Sequence, residues 1–373
     1  MKKILFMVSS MNIGGVEKSL LSLLSIIPRE EYEVTVLLLD KSGGFLNHIP
    51  SWVKVEEAMW FKDIKPIIME APQVILKNYI KKKKYIDGVL FTFSYFIDKH
   101  FKNRYLYYKN ILRSIPIKED EYDVAIAYAG PTEIIDSYIT HKVKAKKKIG
   151  WVHFDVSKHD INTNLYLKLY SKMDKIFIVS KEGKAKFDKK FSSISNKSEV
   201  FKNIVSKEVI RDMACEKVDF DDAFEGIKII TVGRLSVEKG QDLGIKALAR
   251  LKKAGYKVRW YCVGEGNSRK EYESIIKEYK LQDDFILLGA KTNPYPYMKM
   301  ADIYVQTSRH EGYCLTLAEA KVLNKEIITT NFTGANEQIE QGKTGLIVES
   351  NWESVYENIK HIIDNKLRRE EIL

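Results

Sequence analysis

Two cations, two carboxylates and a glycine pair are the residues of this 373-residue chain best suited to handle a phosphorylated ligand. In IKIITVGRLSVEKGQDLGIKAL an apolar run ends at Gly233, Arg234 and Lys239 follow, and a helical pattern starts near Gly240. An arginine fork and a lysine point charge at a strand end, beside a helix start, make a clamp for a diphosphate. Taken singly, each reads as a surface cation. In SRHEGYCLTLAEAKVL, Glu311 falls in a loop and Glu319 lies eight residues on, inside a helical pattern. Eight helical residues rise about 12 Å. Two carboxylates so spaced can address different hydroxyls of one extended ligand while the helix N-terminus faces its phosphates. In isolation the same glutamates read as helix-dipole placement. Near the N-terminus, SSMNIGGVEKSL sets Gly14 and Gly15 before a helix starting near Val16. Glycine lets backbone pass close to a ligand, but the segment lacks both the G-x-G-x-x-G and the G-K-[ST] patterns, and alone it reads as a tight turn.

Other chemistries find little support. Asp219-Phe220-Asp221 is a D-x-D string, yet no strand precedes it, and no metal is expected there. His153 and His159, with Asp155 between them, read as a polar loop at a strand end rather than a metal pair. Cys215, Cys262 and Cys314 are scattered singly, which points to a reducing compartment and excludes a metal knuckle or a disulfide framework.

The elements that must position these residues alternate along the chain. Strand patterns fall at 4–9, 34–39, 124–128, 148–152 and 175–179, then at 227–232, 258–263, 285–288, 303–306, 326–330 and 346–348. Amphipathic helical stretches such as 16–27, 242–254 and 269–279 lie between them. That alternation argues parallel sheets covered by helices on both faces, with ligands beyond the carboxyl ends of the strands. The length and strand count predict two doubly wound α/β domains facing across a cleft. The boundaries expected are 1–205 for the first domain, 206–226 for a linker and 227–352 for the second domain. A C-terminal helix over 353–373 is expected to pack back toward the first domain.

Composition narrows the class. Hydrophobic residues make up 45% and charged ones 30%, enough to bury two cores and too structured for disorder. No run reaches the roughly 18 apolar residues of a membrane span. The opening MKKILFMVSS imitates a signal peptide, but its apolar run is too short, and it reads as a buried first strand in a cytoplasmic protein. The net charge of +11 is concentrated: residues 62–118 hold 13 Lys/Arg against 4 Asp/Glu, with ten Tyr or Phe from Tyr79 to Tyr108. The stretch is expected to form helices on the first domain, and its mixture, with the block Lys81, Lys82, Lys83 and Lys84, suits an anionic membrane surface or nucleic acid, or else a solvated face over a buried aromatic one.

Together the motifs resemble the retaining glycosyltransferases of family 4, of GT-B architecture. The resemblance is strongest over 227–349, through GRLSVEKG, VGEGNSR, SRHEGYCLTLAEA and TTNFTGANEQIEQGKTGLIV, and looser through MNIGGVEKSL and IGWVHFD. It implies that Arg234 and Lys239 neutralise the diphosphate of a nucleotide-sugar, that Glu311 holds the sugar and that Glu319 holds the ribose. It also implies donor contacts at Gly264 and at the backbone of Gly312, Tyr313, Cys314 and Leu315. Gly14 and Gly15 would approach the phosphates, and His153 the reacting sugar. Breaking a glycosyl–phosphate bond leaves negative charge on the diphosphate, which preorganised cations and helix dipoles stabilise without a metal. No carboxylate nucleophile is evident on the opposite face, so front-face attack is expected rather than a covalent intermediate. Cys314 stands where the family has glycine, and Asn324 replaces another glycine in a place where asparagine tolerates the left-handed conformation. The chain stops soon after Glu370, before the aromatic segment and crossing helix that the family commonly adds, so that helix is expected to be short or missing. The expected activity is metal-independent transfer, with retention, from a nucleotide-sugar (UDP favoured over GDP) and with no cofactor. The acceptor would be a glycan or lipid-linked molecule, met in the cytoplasm or at the inner face of the membrane. Rival readings are a non-hydrolysing sugar-nucleotide epimerase and a polyanion-binding protein with an inactive sugar site.

Overall fold

The computed structural model describes residues 1–218 and 223–370, with side chains through Lys366. Asp219-Phe220-Asp221 lies outside the described residues. The chain divides into two units, Met1–Lys202 and Asn203–Leu373.

The first unit is a parallel sheet of β1 (Lys2–Val8), β2 (Tyr32–Leu38), β3 (Lys54–Glu57), β4 (Lys118–Gly130), β5 (Val143–Val152), β6 (Lys175–Ile178) and β7 (Ser198–Val200), in the order β3-β2-β1-β4-β5-β6-β7. The second holds β8 (Ile227–Val232), β9 (Val258–Val263), β10 (Phe285–Gly289), β11 (Ile303–Gln306), β12 (Glu326–Thr330) and β13 (Leu346–Val348), in the order β10-β9-β8-β11-β12-β13. Every pairing within both sheets is parallel, as helical crossovers require. Each sheet reverses its strand order once, at β1/β4 in the first unit and at β8/β11 in the second. A doubly wound sheet opens a crevice for ligands at such a reversal.

Alternation along the strands sends neighbouring side chains to opposite faces. In the second unit Ile229, Trp260 and Val305 join one core, with the helices Gln241–Lys253, Arg269–Glu278 and Trp352–Glu370. Ile230, Tyr261 and Tyr304 join the other, with Tyr295–Met300 and Leu315–Val322. Both faces are thereby dry, which explains the near-continuous apolar runs in these strands.

One boundary expectation is corrected. The stretch expected as a linker contains the helix Lys207–Met213, whose Ile210 lies with Ala214 in the second core, so the division falls earlier, after Lys202. The C-terminal helix Trp352–Glu370 seats Val355, Ile359 and Ile363 in the core of its own unit. Residues 61–111 form four helices, Phe61–Met69, Pro72–Lys81, Tyr85–Phe101 and Arg104–Ile111, between β3 and β4. Ile64, Ile75, Phe91, Tyr107, Tyr108 and Ile111 fasten them to the first core.

Candidate functional site

In the second unit the loops after β8 and β9 run backbone against backbone. A Cβ at Gly264, whose φ is +150°, would lie 1.9 Å from the Gly233 carbonyl oxygen, and one at Gly266 would lie 2.2 Å from that of Leu235. Only glycine fits either place. The Leu235 N–H donates to the Glu265 carbonyl at 3.1 Å, and the Ser268 N–H to that of Leu235 at 3.1 Å. Gly264 therefore has a structural role of its own, whatever it does for a ligand. From this braced turn Arg234 projects, exposed, while its carbonyl accepts from Gln241 Nε2 at 2.8 Å.

The loop after β11 is fastened to the loop after β8. Gly240, at φ +64°, faces the Thr307 carbonyl so closely that a Cβ would come within 2.3 Å. Thr307 Oγ1 donates to the Lys239 carbonyl at 2.9 Å, and the Arg309 N–H donates to that of Glu238 at 2.7 Å. The Arg309 guanidinium grips Asp242 in a fork of 2.8 and 2.7 Å. Lys239 and Glu311 meet where these loops join, at the β8/β11 reversal.

Three donors converge on one oxygen of Glu311. Lys239 Nζ donates to Oε1 at 2.5 Å, Ser308 Oγ at 2.7 Å, and Gln306 Nε2 at the longer 3.5 Å. Gln306 is itself oriented: its Nε2 donates to Ser308 Oγ at 2.7 Å, and its Oε1 accepts from Tyr304 OH at 2.5 Å. Among the described residues nothing donates to Glu311 Oε2. Burial weighs against the Lys239 ammonium, but the Glu311 carboxylate outweighs it and holds the lysine above its usual pKa. An ammonium has three protons to donate, so Lys239 can keep Glu311 and still meet a diphosphate.

The helix Leu315–Val322 starts beside this cluster. Among the described residues the backbone N–H groups of Gly312, Tyr313, Cys314 and Leu315 have no acceptor, leaving donors for an anion. Cys314 sits in the left-handed conformation at φ 64°, the strained geometry that a glycine would relieve, and Asn324 does the same at φ 52°. Burial and then Glu311 push the Cys314 thiol up to about 12, so it stays protonated and is no nucleophile at neutral pH. Glu319 is only 2% exposed and accepts from Tyr295 OH at 3.3 Å. A ribose can reach it only if the side chains covering it give way.

In the first unit Gly14 stands at the N-terminal cap of the helix Gly15–Leu24 in extended backbone. A Cβ on Gly14 would meet only the carboxylate end of Glu17, and one on Gly15 would meet nothing within 4 Å. Neither glycine is demanded by the chain itself. The glycine that is demanded is Gly43, at φ +114°, where a Cβ would lie 2.2 Å from the Met11 carbonyl carbon. With it, the Met11 N–H donates to the Ser42 carbonyl and the Phe45 N–H to that of Met11, both at 2.8 Å, fixing the loop after β1.

His153 follows β5, with its ring nearly parallel to Trp151 and 4.7 Å from the centre of Tyr128. Burial lowers its pKa to about 3 against a hydrogen bond to the Tyr128 backbone, so the ring is neutral at physiological pH. Its Nε2 is covered and has no partner among the described residues. Asp155 accepts from the Ser157 N–H and hydroxyl at 2.8 and 2.6 Å and from Lys186 at 2.9 Å, a polar loop. Among the described residues no cluster of three or more His, Cys, Asp or Glu is arranged to hold a metal ion.

The structure thus brings Lys239, Glu311 and the free N–H groups of 312–315 together, with Arg234 on the adjoining turn. Gly14, Gly15, His153 and Lys81–Lys84 belong to the other unit. Ser308, Gln306, Arg309 and Gly43 escaped the sequence reading. A serine three residues before a loop glutamate, in SRHE, was the only signal for the first of these.

The profile of the glycosyl transferases group 1 family matches residues 219–372. An N-acetylgalactosamine-N,N'-diacetylbacillosaminyl-diphospho-undecaprenol 4-alpha-N-acetylgalactosaminyltransferase from Campylobacter jejuni is 32% identical over 212 residues, 56% of this chain and 56% of that protein. The capsular polysaccharide biosynthesis glycosyltransferase CapM of Staphylococcus aureus is 27% identical over 143 residues, 38% of each chain. The chain spans about half the length or less of these curated relatives. HepE of Anabaena, solved with UDP-glucose, superposes with a TM-score of 0.69 at 17% identity, over 98% of this chain and 91% of that one. TarM gives 0.65 at 15% identity, over 98% and 93%. These likenesses establish the GT-B fold, two Rossmann-like units each with its own parallel sheet. Residues 219–372, within the second unit, are similar to the glycosyl transferases group 1 family.

Proposed function

We propose that the chain transfers a sugar from a nucleotide-diphosphate sugar to a glycan or lipid-linked acceptor in surface polysaccharide or glycolipid synthesis. The observation that carries this reading is the cluster at the β8/β11 reversal, where Lys239 and the free N–H groups of 312–315 stand beside Glu311 with one oxygen unused. Arg234 and Lys239 would stabilise the departing diphosphate, and Glu311 Oε2 would hold the transferred sugar. His153, neutral and with Nε2 unpaired among the described residues, would take a hydrogen bond from a sugar hydroxyl once the groups covering that nitrogen give way. Charge stabilisation by two cations supports departure of the leaving group without a metal. With no carboxylate proposed as nucleophile, transfer would proceed at the front face with retention. Uridine is the base proposed: HepE was solved with UDP-glucose and TarM of S. aureus with UDP. The relatives act on a diphospho-undecaprenol carrier or in capsule synthesis, by name, which supports a lipid-linked or polysaccharide acceptor. The enzyme would then work at the inner face of the membrane, with the exposed Lys81, Lys82, Lys83 and Lys84 toward anionic headgroups.

A thermal-shift panel of UDP- and GDP-sugars, followed by transfer assays with and without a chelator, tests the reading. UDP-sugars should raise the melting temperature, and turnover should need an acceptor and survive chelation. Interconversion of the sugar nucleotide without acceptor would indicate an epimerase. Salt-dependent nucleic-acid binding with no donor response would indicate a polyanion-binding protein.

A further inference from the structure

The helix Tyr85–Phe101 is apolar on two opposite faces, and only one of them is buried. Gly88, Phe91 and Ser94 face the first core. On the other side Ile86, Val89, Phe93 and Phe96 are 76, 68, 59 and 52% exposed. At about 100° per residue, these four fall with Tyr85 and His100 inside an arc of about 100°, on the far side from Phe91. Exposed spacing of 86, 89, 93 and 96 is the pattern of a helical face made for contact. A contiguous apolar surface of this kind marks an interaction site in a folded protein.

We propose that this face is a membrane-docking surface whose partner is an anionic lipid bilayer, into which Ile86, Val89, Phe93 and Phe96 insert. It rests on the lipid-linked acceptor proposed above as the reason for such a contact. The charges around the stripe choose the partner. Lys81 ends the preceding helix and Lys82, Lys83 and Lys84 form the turn leading into its first residue, with Lys83 in the left-handed conformation at φ 55°. Lys99 and Lys102 close its other end. Among the described residues none of these six lysines has a carboxylate partner. A second copy of the chain laid on this face would set lysines against lysines in either direction, since both ends are basic. The acidic residues of the helix do not answer them: Asp98 is engaged by Arg104 at 2.8 Å, and Asp87 lies off the stripe. Anionic headgroups meet both ends at once while the acyl region receives the apolar centre. The surface differs from a purely electrostatic contact through the four lysines, because the apolar arc supplies a part of the binding that salt does not screen.

The test is co-sedimentation of the full chain with phosphatidylcholine vesicles and with vesicles of equal parts phosphatidylcholine and phosphatidylglycerol. The wild type should favour the anionic vesicles and stay partly bound at about 1 M salt, where charges are screened within about 3 Å. The double variant Phe93→Ser, Phe96→Ser should bind about 10-fold more weakly or worse. Val89→Glu, on the same arc, should act alike. Lys81→Gln through Lys84→Gln together should remove the anionic preference while leaving the salt-resistant part. The fluorescence of a Phe93→Trp variant should be quenched by bromine-labelled acyl chains. Circular dichroism melts check that each variant stays folded, since all these side chains face outward. Partitioning of the wild type unchanged by the Phe93/Phe96 pair, absence of quenching in the Phe93→Trp variant, or a solution dimer that the pair abolishes would each overturn the proposal. Donor binding is read separately: a UDP-sugar thermal shift kept by the double variant shows the two sites to be independent. A chain that binds vesicles but no nucleotide-sugar sinks the transferase reading alone.

Discussion

Glu311 has two oxygens, and the fold has spoken for one. Lys239, Ser308 and Gln306 all donate to Oε1, which fixes the carboxylate plane and turns Oε2 away from them. Ser308→Ala should therefore lower turnover about 10-fold while leaving nucleoside diphosphate affinity unchanged, and Ser308→Thr should restore most of it. Measuring Kd for the nucleotide beside kcat separates this from general damage. Arg234→Ala and Lys239→Ala should each reduce turnover by roughly 10²-fold or more, because they act on charge that develops only as the bond breaks. Near-normal turnover in both would remove the diphosphate role. Glu311→Ala should spare nucleoside diphosphate binding and Glu319→Ala should weaken it, by calorimetric titration, and identical behaviour would refute the division between sugar and ribose. Arg234, Lys239 and Glu311 were legible as loop charges because charge in a strand-end loop is visible in one dimension. Ser308 and Gln306 were not, since their significance is a convergence of donors that only the folded loop creates.

Between β4 and β5 the helix Glu133–Lys142 carries a carboxyl group with no exposure at all. Burial raises Asp136 from 3.8 to about 7, against a hydrogen bond from the Thr132 N–H at 2.7 Å. The folded state thus binds this proton more tightly than the unfolded chain does. Its contribution to stability is complete below about pH 4 and is lost as the pH rises through 7, an effect of up to about 4 kcal/mol. Asp136→Asn keeps an acceptor for Thr132 and removes the titration. The wild type should lose stability relative to this variant as the pH climbs from 4 to 7, by denaturant melts at each pH. A constant difference would show that Asp136 does not titrate there. At this scale the sequence was most readable where strands are buried on both faces. All the expected strands are present, and the stretch 62–118 is helical as anticipated. β3 and β7 were missed because KVEE and SEV are short sheet-edge strands, half-polar and without an apolar run. The reading of 62–118 as basic and aromatic was right in composition but could not say which rings face out, because burial of Phe91 and exposure of Phe93 depend on the core beneath.

Each unit of the molecule has a sheet and a hydrophobic core of its own. Calorimetric unfolding should accordingly resolve into two transitions rather than one. UDP should raise chiefly the transition of Asn203–Leu373, since the cations and carboxylates proposed to hold it lie in that unit. A UDP shift confined to the other transition would move the nucleotide site. The division after Lys202 has a further consequence in time. Neither sheet borrows a strand from the other half of the sequence, so every partner that β1 to β7 need has been synthesised once residue 202 has been added. The 171 residues that follow (373 minus 202) occupy a ribosome for roughly 10–30 s at ordinary elongation rates. The first unit can complete its fold in that interval, with its lysine turn and apolar stripe already formed, while the second unit is still being translated.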